Sequence, residues 1–218
     1  MDEKPDQRRS WENILTGKTN MLEINVTPQV QSIHSETLIG ILEILIGNVS
    51  PMANVLTEEK IRIEETIRAR FGDLSRQENN LIPTISAYRK YYKQFKKSYH
   101  VQLQVESIAQ KGKSLPAVNP LVDICFMAEM ESLLLTASHD VEKLVPPISF
   151  DISQEGDEIN QLNGQVRPMS IGDIIMRDEK GVSCSIIYGQ DNQSMVTNET
   201  SHVLYVTYAP PGISSDQV

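Results

Sequence analysis

Cysteine, clustered histidine and long apolar runs are all scarce in this sequence. Its two cysteines, Cys125 and Cys184, each sit in an apolar stretch with no Cys or His at ligand spacing. Free buried thiols are the better reading. The four histidines, His34, His100, His139 and His202, are scattered, so no zinc signature arises and no metal or cofactor is expected. No apolar run reaches the ~18 residues that span a bilayer, because Asp123, Glu129 and Glu131 interrupt the best candidate. The first residues, "MDEKPDQRRSWENILTGKTN", are polar and hold no apolar signal core. A cytoplasmic protein with no membrane partner is expected. A phosphate-cradling glycine loop and a Gly-x-Ser-x-Gly elbow are also absent.

What is present suits one folded domain. The chain has 218 residues, 39% hydrophobic and 22% charged, enough for a sizeable core. Its net charge of −9 repels phosphate at long range and counts against generic nucleic-acid binding, DNA included. A local basic patch can override that total. Residues 1–20 lack periodicity and are expected as a mobile leader whose Trp11 and Leu15 dock on the body. Residues 21–210 read as the domain and 211–218 as a flexible tail.

Along the domain, "MLEINV" and "TLIGILEILIG" read as strands. "LTEEKIRIEETIRARFG" reads as a helix capped by Thr57, with Ile63, Ile67 and Phe71 as its buried stripe. "IPTISAYRKYYKQFKKSYH" reads as a second helix, with Ile85, Tyr88, Tyr92, Phe95 and Tyr99 on one face. "VQLQVESIAQKGKS" ends at Gly112 and reads as a third. "AVNPLVDICFMAEMESLLL" starts with a capping Asn119 and Pro120 at the first position, is apolar nearly all round, and reads as the central buried helix to about Leu135. Short β runs separated by turns such as Asn163-Gly164 and Lys180-Gly181 fill the last third. The expected fold is α+β: mixed β layers packed on a central buried helix and a helical middle segment.

Three stretches are candidates for chemistry. No acidic residue falls between Glu78 and Glu106, and Arg89, Lys90, Lys93, Lys96 and Lys97 lie within that span. Such a set can meet several phosphates, and exposed tyrosines could stack on bases; otherwise the tyrosines are core and the lysines simply solvated. The run Ser138, His139, Asp140 contains triad residue types, but sequence neighbours point apart, so a helix-exit loop is the better reading. In the polar loop "QDNQSMVTNETSH", Asp191 and Glu199 would act as acid or base if they line a pocket, or else form turns.

Four segments in order, "LPAVNPLVDICFMAEMESLLLTASHDVEKL", "GDEINQLNGQ", "IGDIIMRDEKGVSC" and "VTNETSHVLYVTYA", resemble the B3/B4 domain of the phenylalanyl-tRNA synthetase beta subunit, and its stand-alone relatives also carry a segment like "YRKYYKQF" ahead of them. The likeness covers roughly residues 21 to 210 and is nearest to stand-alone bacterial proteins built from that domain. It implies an α+β module which, in the synthetase, hydrolyses tRNAPhe mischarged with tyrosine. The family's Asn-Pro-x-Val-Asp start matches Asn119, Pro120, Val122 and Asp123, and its Val-x-x-Glu-Thr segment matches Val196, Glu199 and Thr200. A polar Thr-Asn pair of the editing pocket is replaced by Cys125 and Phe126. The pocket histidine falls nearest Thr136 or Ala137, with His139 close by, and the glutamate of the Gly-Gly-Glu loop aligns with Asp191 after Gly189 and Gln190.

Losing two polar liners removes the means of telling a hydroxylated from a plain aromatic ring. The reading that follows is a module binding tRNA or aminoacylated tRNA, monomeric or weakly oligomeric. Its pocket would comprise Asn119, Asp123, Cys125, Phe126, Gly189, Gln190, Glu199 and Thr200, with the basic helix on phosphates. Two alternatives stand beside it: a hydrolase deacylating mischarged tRNA through Asp191, and a small-molecule or protein-interaction domain without RNA. Full synthetase activity is not expected from this chain.

Overall fold

A computed structural model describes residues 22–46 and 53–218; the expected leader, residues 1–20, lies outside them. The fold is α+β. Strand β1 (Ile24–Val26) is followed by helix α1 (Pro28–Ile33) and strand β2 (Leu38–Leu45). Five helices come next: α2 (Ala53–Phe71), α3 (Arg76–Asn79), α4 (Pro83–Gln94), α5 (His100–Lys111) and α6 (Pro120–Ser132). The rest is β: β3 (Thr136–Asp140), β4 (Ile148–Ile152), β5 (Glu158–Asn160), β6 (Val166–Pro168), β7 (Ile174–Asp178), β8 (Gly181–Ser185), β9 (Gly189–Gln190) and β10 (His202–Ala209). They build a five-stranded sheet in the order β1-β4-β7-β8-β9, a three-stranded sheet β2-β10-β3 and the hairpin β5-β6.

Helix α4 ties the two larger sheets together. Its tyrosines are fully or almost fully buried, and their hydroxyls reach out of the helix to other elements. Tyr88 Oη donates to the Tyr208 carbonyl at 2.6 Å and accepts from the Leu135 amide at 2.8 Å, both beside the small sheet. Tyr91 Oη donates to Asp173 at 2.6 Å, and Tyr92 Oη to the Ile186 carbonyl at 2.6 Å, both flanking the large one. Burying a phenol costs least when its hydroxyl is paired, and each of these is. The tyrosines are therefore core, and none of them offers a ring for stacking on a base.

Three local expectations need correcting. The "LTEEK" helix begins by Ala53, so Thr57 lies inside it and not at its cap. The basic stretch is not one helix. It stops at Gln94, Lys96 turns left-handed at φ 55°, and a new helix starts at His100. The Lys96 amide bonds Lys93 O and the Lys97 amide bonds Tyr92 O, the paired closure of a Schellman motif, with lysine where glycine is usual. Holding a side chain there costs about 1 kcal/mol. Finally, Ser138, His139 and Asp140 are not a helix-exit loop but part of strand β3, so Ser138 and His139 face opposite sides of the sheet.

Of the last residues, expected as a flexible tail, Ile213 is buried in the core and Gln217 Nε2 donates to Thr84 Oγ1 at 3.1 Å, while 214–218 are exposed. Among the described residues no helix is long and apolar enough to cross a membrane.

Candidate functional site

Helix α6 forms one wall of a cavity of about 730 Å³ whose other wall is the outer face of the sheet β2-β10-β3. The helix starts where the sequence said it would, but it ends at Ser132 and not near Leu135, because Leu133 turns left-handed at φ 60°. Asn119 Oδ1 accepts from the Leu121 and Val122 amides at 3.1 and 3.0 Å, and Pro120 needs no donor. Leu121, Ile124 and Cys125 face the cavity from the helix, and Leu42, Val203 and Tyr205 face it from the sheet. The lining is mostly apolar, and two of its side-chain protons, those of Tyr205 and Cys125, are already committed. Tyr205 Oη donates to Leu121 O at 2.9 Å and Cys125 Sγ to Thr136 O at 3.2 Å. Burial pushes the Cys125 thiol well above its usual range, with buried Glu129 adding to the effect, so it stays protonated and is no nucleophile.

Of the residues expected in a pocket, the structure places only Cys125 in this cavity. Asn119 caps the helix. Asp123 is held by Lys60 Nζ at 2.7 Å and by the Val118 amide at 2.9 Å. Phe126 leaves the helix on the other side and packs on the main core. Glu199 is exposed, whereas Thr200 is buried and donates to Asp140 at 2.7 Å. The polar loop reaches the cleft through Val196, which packs with Leu121, Cys125, Val203 and Tyr205.

Gly189, Gln190 and Asp191 sit to one side, on a different polar cluster. Asp191, only 4% exposed, accepts from the Ser194 amide at 3.0 Å and, through a very short bond, from Ser194 Oγ. Ser194 Oγ lies 2.7 Å from His139 Nδ1. Because the serine's single proton points at the carboxylate, His139 must donate from Nδ1, which leaves Nε2 bare. That nitrogen is buried without a hydrogen-bond partner among the described residues, and burial lowers the imidazole to about 3. Serine, histidine and aspartate do meet here, but with serine in the middle. A nucleophilic triad needs histidine there, and needs a serine that substrate can reach. The cluster ties the loop to β3 and generates no nucleophile. The Asp191–Ser194 spacing of three was a visible turn signal; its partnership with His139 was not.

The cations lie on another surface. Arg89, Lys90, Lys93, Lys96 and Lys97 are all exposed, and among the described residues none is in an ion pair. Arg89, Lys90 and Lys93 line the outer face of α4, while Lys96 and Lys97 occupy the corner after it. Among the described residues, no three His, Cys, Asp or Glu side chains are grouped as metal ligands would be.

The model of the B3/4 domain family matches residues 86–215, more than half of the chain. A solved N-terminal fragment of the phenylalanyl-tRNA synthetase beta-subunit from Pyrococcus horikoshii is similar over 91% of this chain and 45% of its own, at 12% identity and a TM-score of 0.45. The chain thus spans less than half of that fragment. No curated protein matches.

Proposed function

This chain belongs to the B3/4 domain family, and from that premise we propose that it is a binding module for tRNA or aminoacylated tRNA. The observation that carries the reading is the run of five exposed cations from Arg89 to Lys97, unpaired among the described residues, in a protein of net charge −9. Cations without carboxylate partners are free to replace counterions on a phosphate backbone. The cleft beside α6 would take an apolar group such as an amino-acid side chain. Since Tyr205 and Cys125 spend their protons on carbonyls, a ligand hydroxyl would find no donor from either and lose its hydration. Asp191, sealed and bonded to Ser194, supports binding over hydrolysis.

Binding of labelled, unfractionated tRNA, followed by fluorescence anisotropy, tests this. Affinity is expected to fall as salt rises, and the combined Lys93→Glu, Lys96→Glu and Lys97→Glu variant to bind about tenfold or more weakly. An identical curve for that variant refutes the contact. Aminoacylated tRNAs are expected to deacylate no faster with the protein than without it. Acceleration that Asp191→Ala abolishes would replace the binding module with a hydrolase.

A further inference from the structure

Two more observations extend the basic surface to an element that the helical stretch does not include. Tyr188, just before β9, is half-buried, and its hydroxyl lies 2.6 Å from Ser170 Oγ. Lys97 Nζ lies 5.6 Å from its ring centroid and Arg167 Cζ 4.8 Å. The two cations come from distant parts of the chain, the corner after α4 and strand β6, and one ring holds both. Both are exposed, and neither is in an ion pair among the described residues.

Among the described residues, the local geometry turns the two carboxylates of the hairpin, Asp157 and Glu158, to other uses. Arg167 pairs across the hairpin with Ile159, which is fully buried, so its side chain leaves on the face toward the protein body. Glu158 pairs with Pro168 and leaves on the opposite face. Asp157 is already taken by Arg177 Nη2 at 2.9 Å. On the other side, the left-handed Lys96 sets the turn that delivers Lys97, so the corner is fixed by backbone hydrogen bonds. A ring face attracts cations and limits their rotamers, which lowers the ordering cost when an anion binds them. Unpaired, prepositioned guanidinium and ammonium groups suit phosphate oxygens.

We propose that Lys97 and Arg167, positioned by Tyr188, form a phosphodiester clamp that seats the RNA backbone beside the α4 cations. The proposal rests on the tRNA-binding reading above and adds the β5-β6 hairpin to the interface. Lys97 and Arg167 touch the phosphate; Tyr188 is a positioning residue.

The test is anisotropy of labelled, unfractionated tRNA with the full chain across a salt series. Arg167→Gln and Lys97→Gln are each expected to weaken binding roughly fivefold near about 0.1 M salt and to reduce the log–log salt slope by roughly 0.7–0.9. Tyr188→Leu should flatten the slope as well, because both cations lose their ring. Tyr188→Phe keeps the ring and should bind as wild type, as should Arg70→Gln, whose guanidinium lies over Phe71 elsewhere. Arg167 is exposed, so its variant stays informative even if Tyr188→Leu melts early. Wild-type affinity and slope in Arg167→Gln overturn the clamp, and if the triple-glutamate variant still loses binding, the tRNA reading survives. Failure of the wild-type protein to bind tRNA at any salt overturns both.

Discussion

Tyr88→Phe is expected to lower the free energy of unfolding by about 2–4 kcal/mol, although it removes a single oxygen. That oxygen is buried and serves two partners, accepting from the Leu135 amide and donating to the Tyr208 carbonyl. Phenylalanine leaves both backbone groups buried and unpaired, at roughly 1–3 kcal/mol each. The ring itself stays: it stacks on Tyr99 at 4.2 Å with planes 3° apart, and phenylalanine keeps that contact. Urea denaturation reads the loss as a lower midpoint at unchanged slope. In thermal unfolding it appears as a drop of roughly 5–15 °C. A variant as stable as wild type would mean that the link from α4 to the small sheet does not depend on this hydroxyl.

Glu129→Gln is expected to stabilise the protein in alkali and to change it little in acid. Glu129 lies on α6, almost fully buried, with the Thr136 amide donating to Oε1 at 3.0 Å. Burial raises its carboxyl from 4.5 to about 8, and the single amide donor only partly opposes this. The folded state thus holds a proton that the unfolded chain releases. The stability gained from holding it is complete below about pH 4.5 and is lost as pH rises toward 8. Glutamine is neutral throughout and keeps the acceptor. The variant should therefore exceed wild type by an amount on the order of 3 kcal/mol above pH 8. Urea titrations at mildly acidic and alkaline pH check it, and parallel pH profiles for the two proteins would show that Glu129 does not titrate between them.

The helices were the most legible part of the sequence because their signals are local. Asn119 and Pro120 announce α6, and Gly112, which takes φ 63°, ends α5. The split of the basic stretch was hidden because Lys96 carries no glycine to mark its left-handed turn. Strand β3 was hidden by its length and by polar Ser138 and Asp140, which break the apolar alternation; its place is set by pairing with β10 far along the chain. The cleft was half-legible. Cys125 could be singled out on α6, but its opposite wall needs β2 to pair with β10 in an eight-residue register. Long-range register of that kind leaves no local trace. Asp191 was legible as a polar loop residue, and only packing shows that its carboxylate is closed off by Ser194.

Burial of the phenols has one more consequence, for what an optical titration reports. Tyr88, Tyr91, Tyr92, Tyr99, Tyr205 and Tyr208 are all raised above the usual phenol range, chiefly by burial. In rising alkali these six should stay dark in the near-ultraviolet phenolate band, then ionise together in one steep step. That step would coincide with loss of helical circular dichroism, because the rings meet hydroxide only when the chain opens. The phenolate absorbance of these six is thus a built-in recorder of global unfolding.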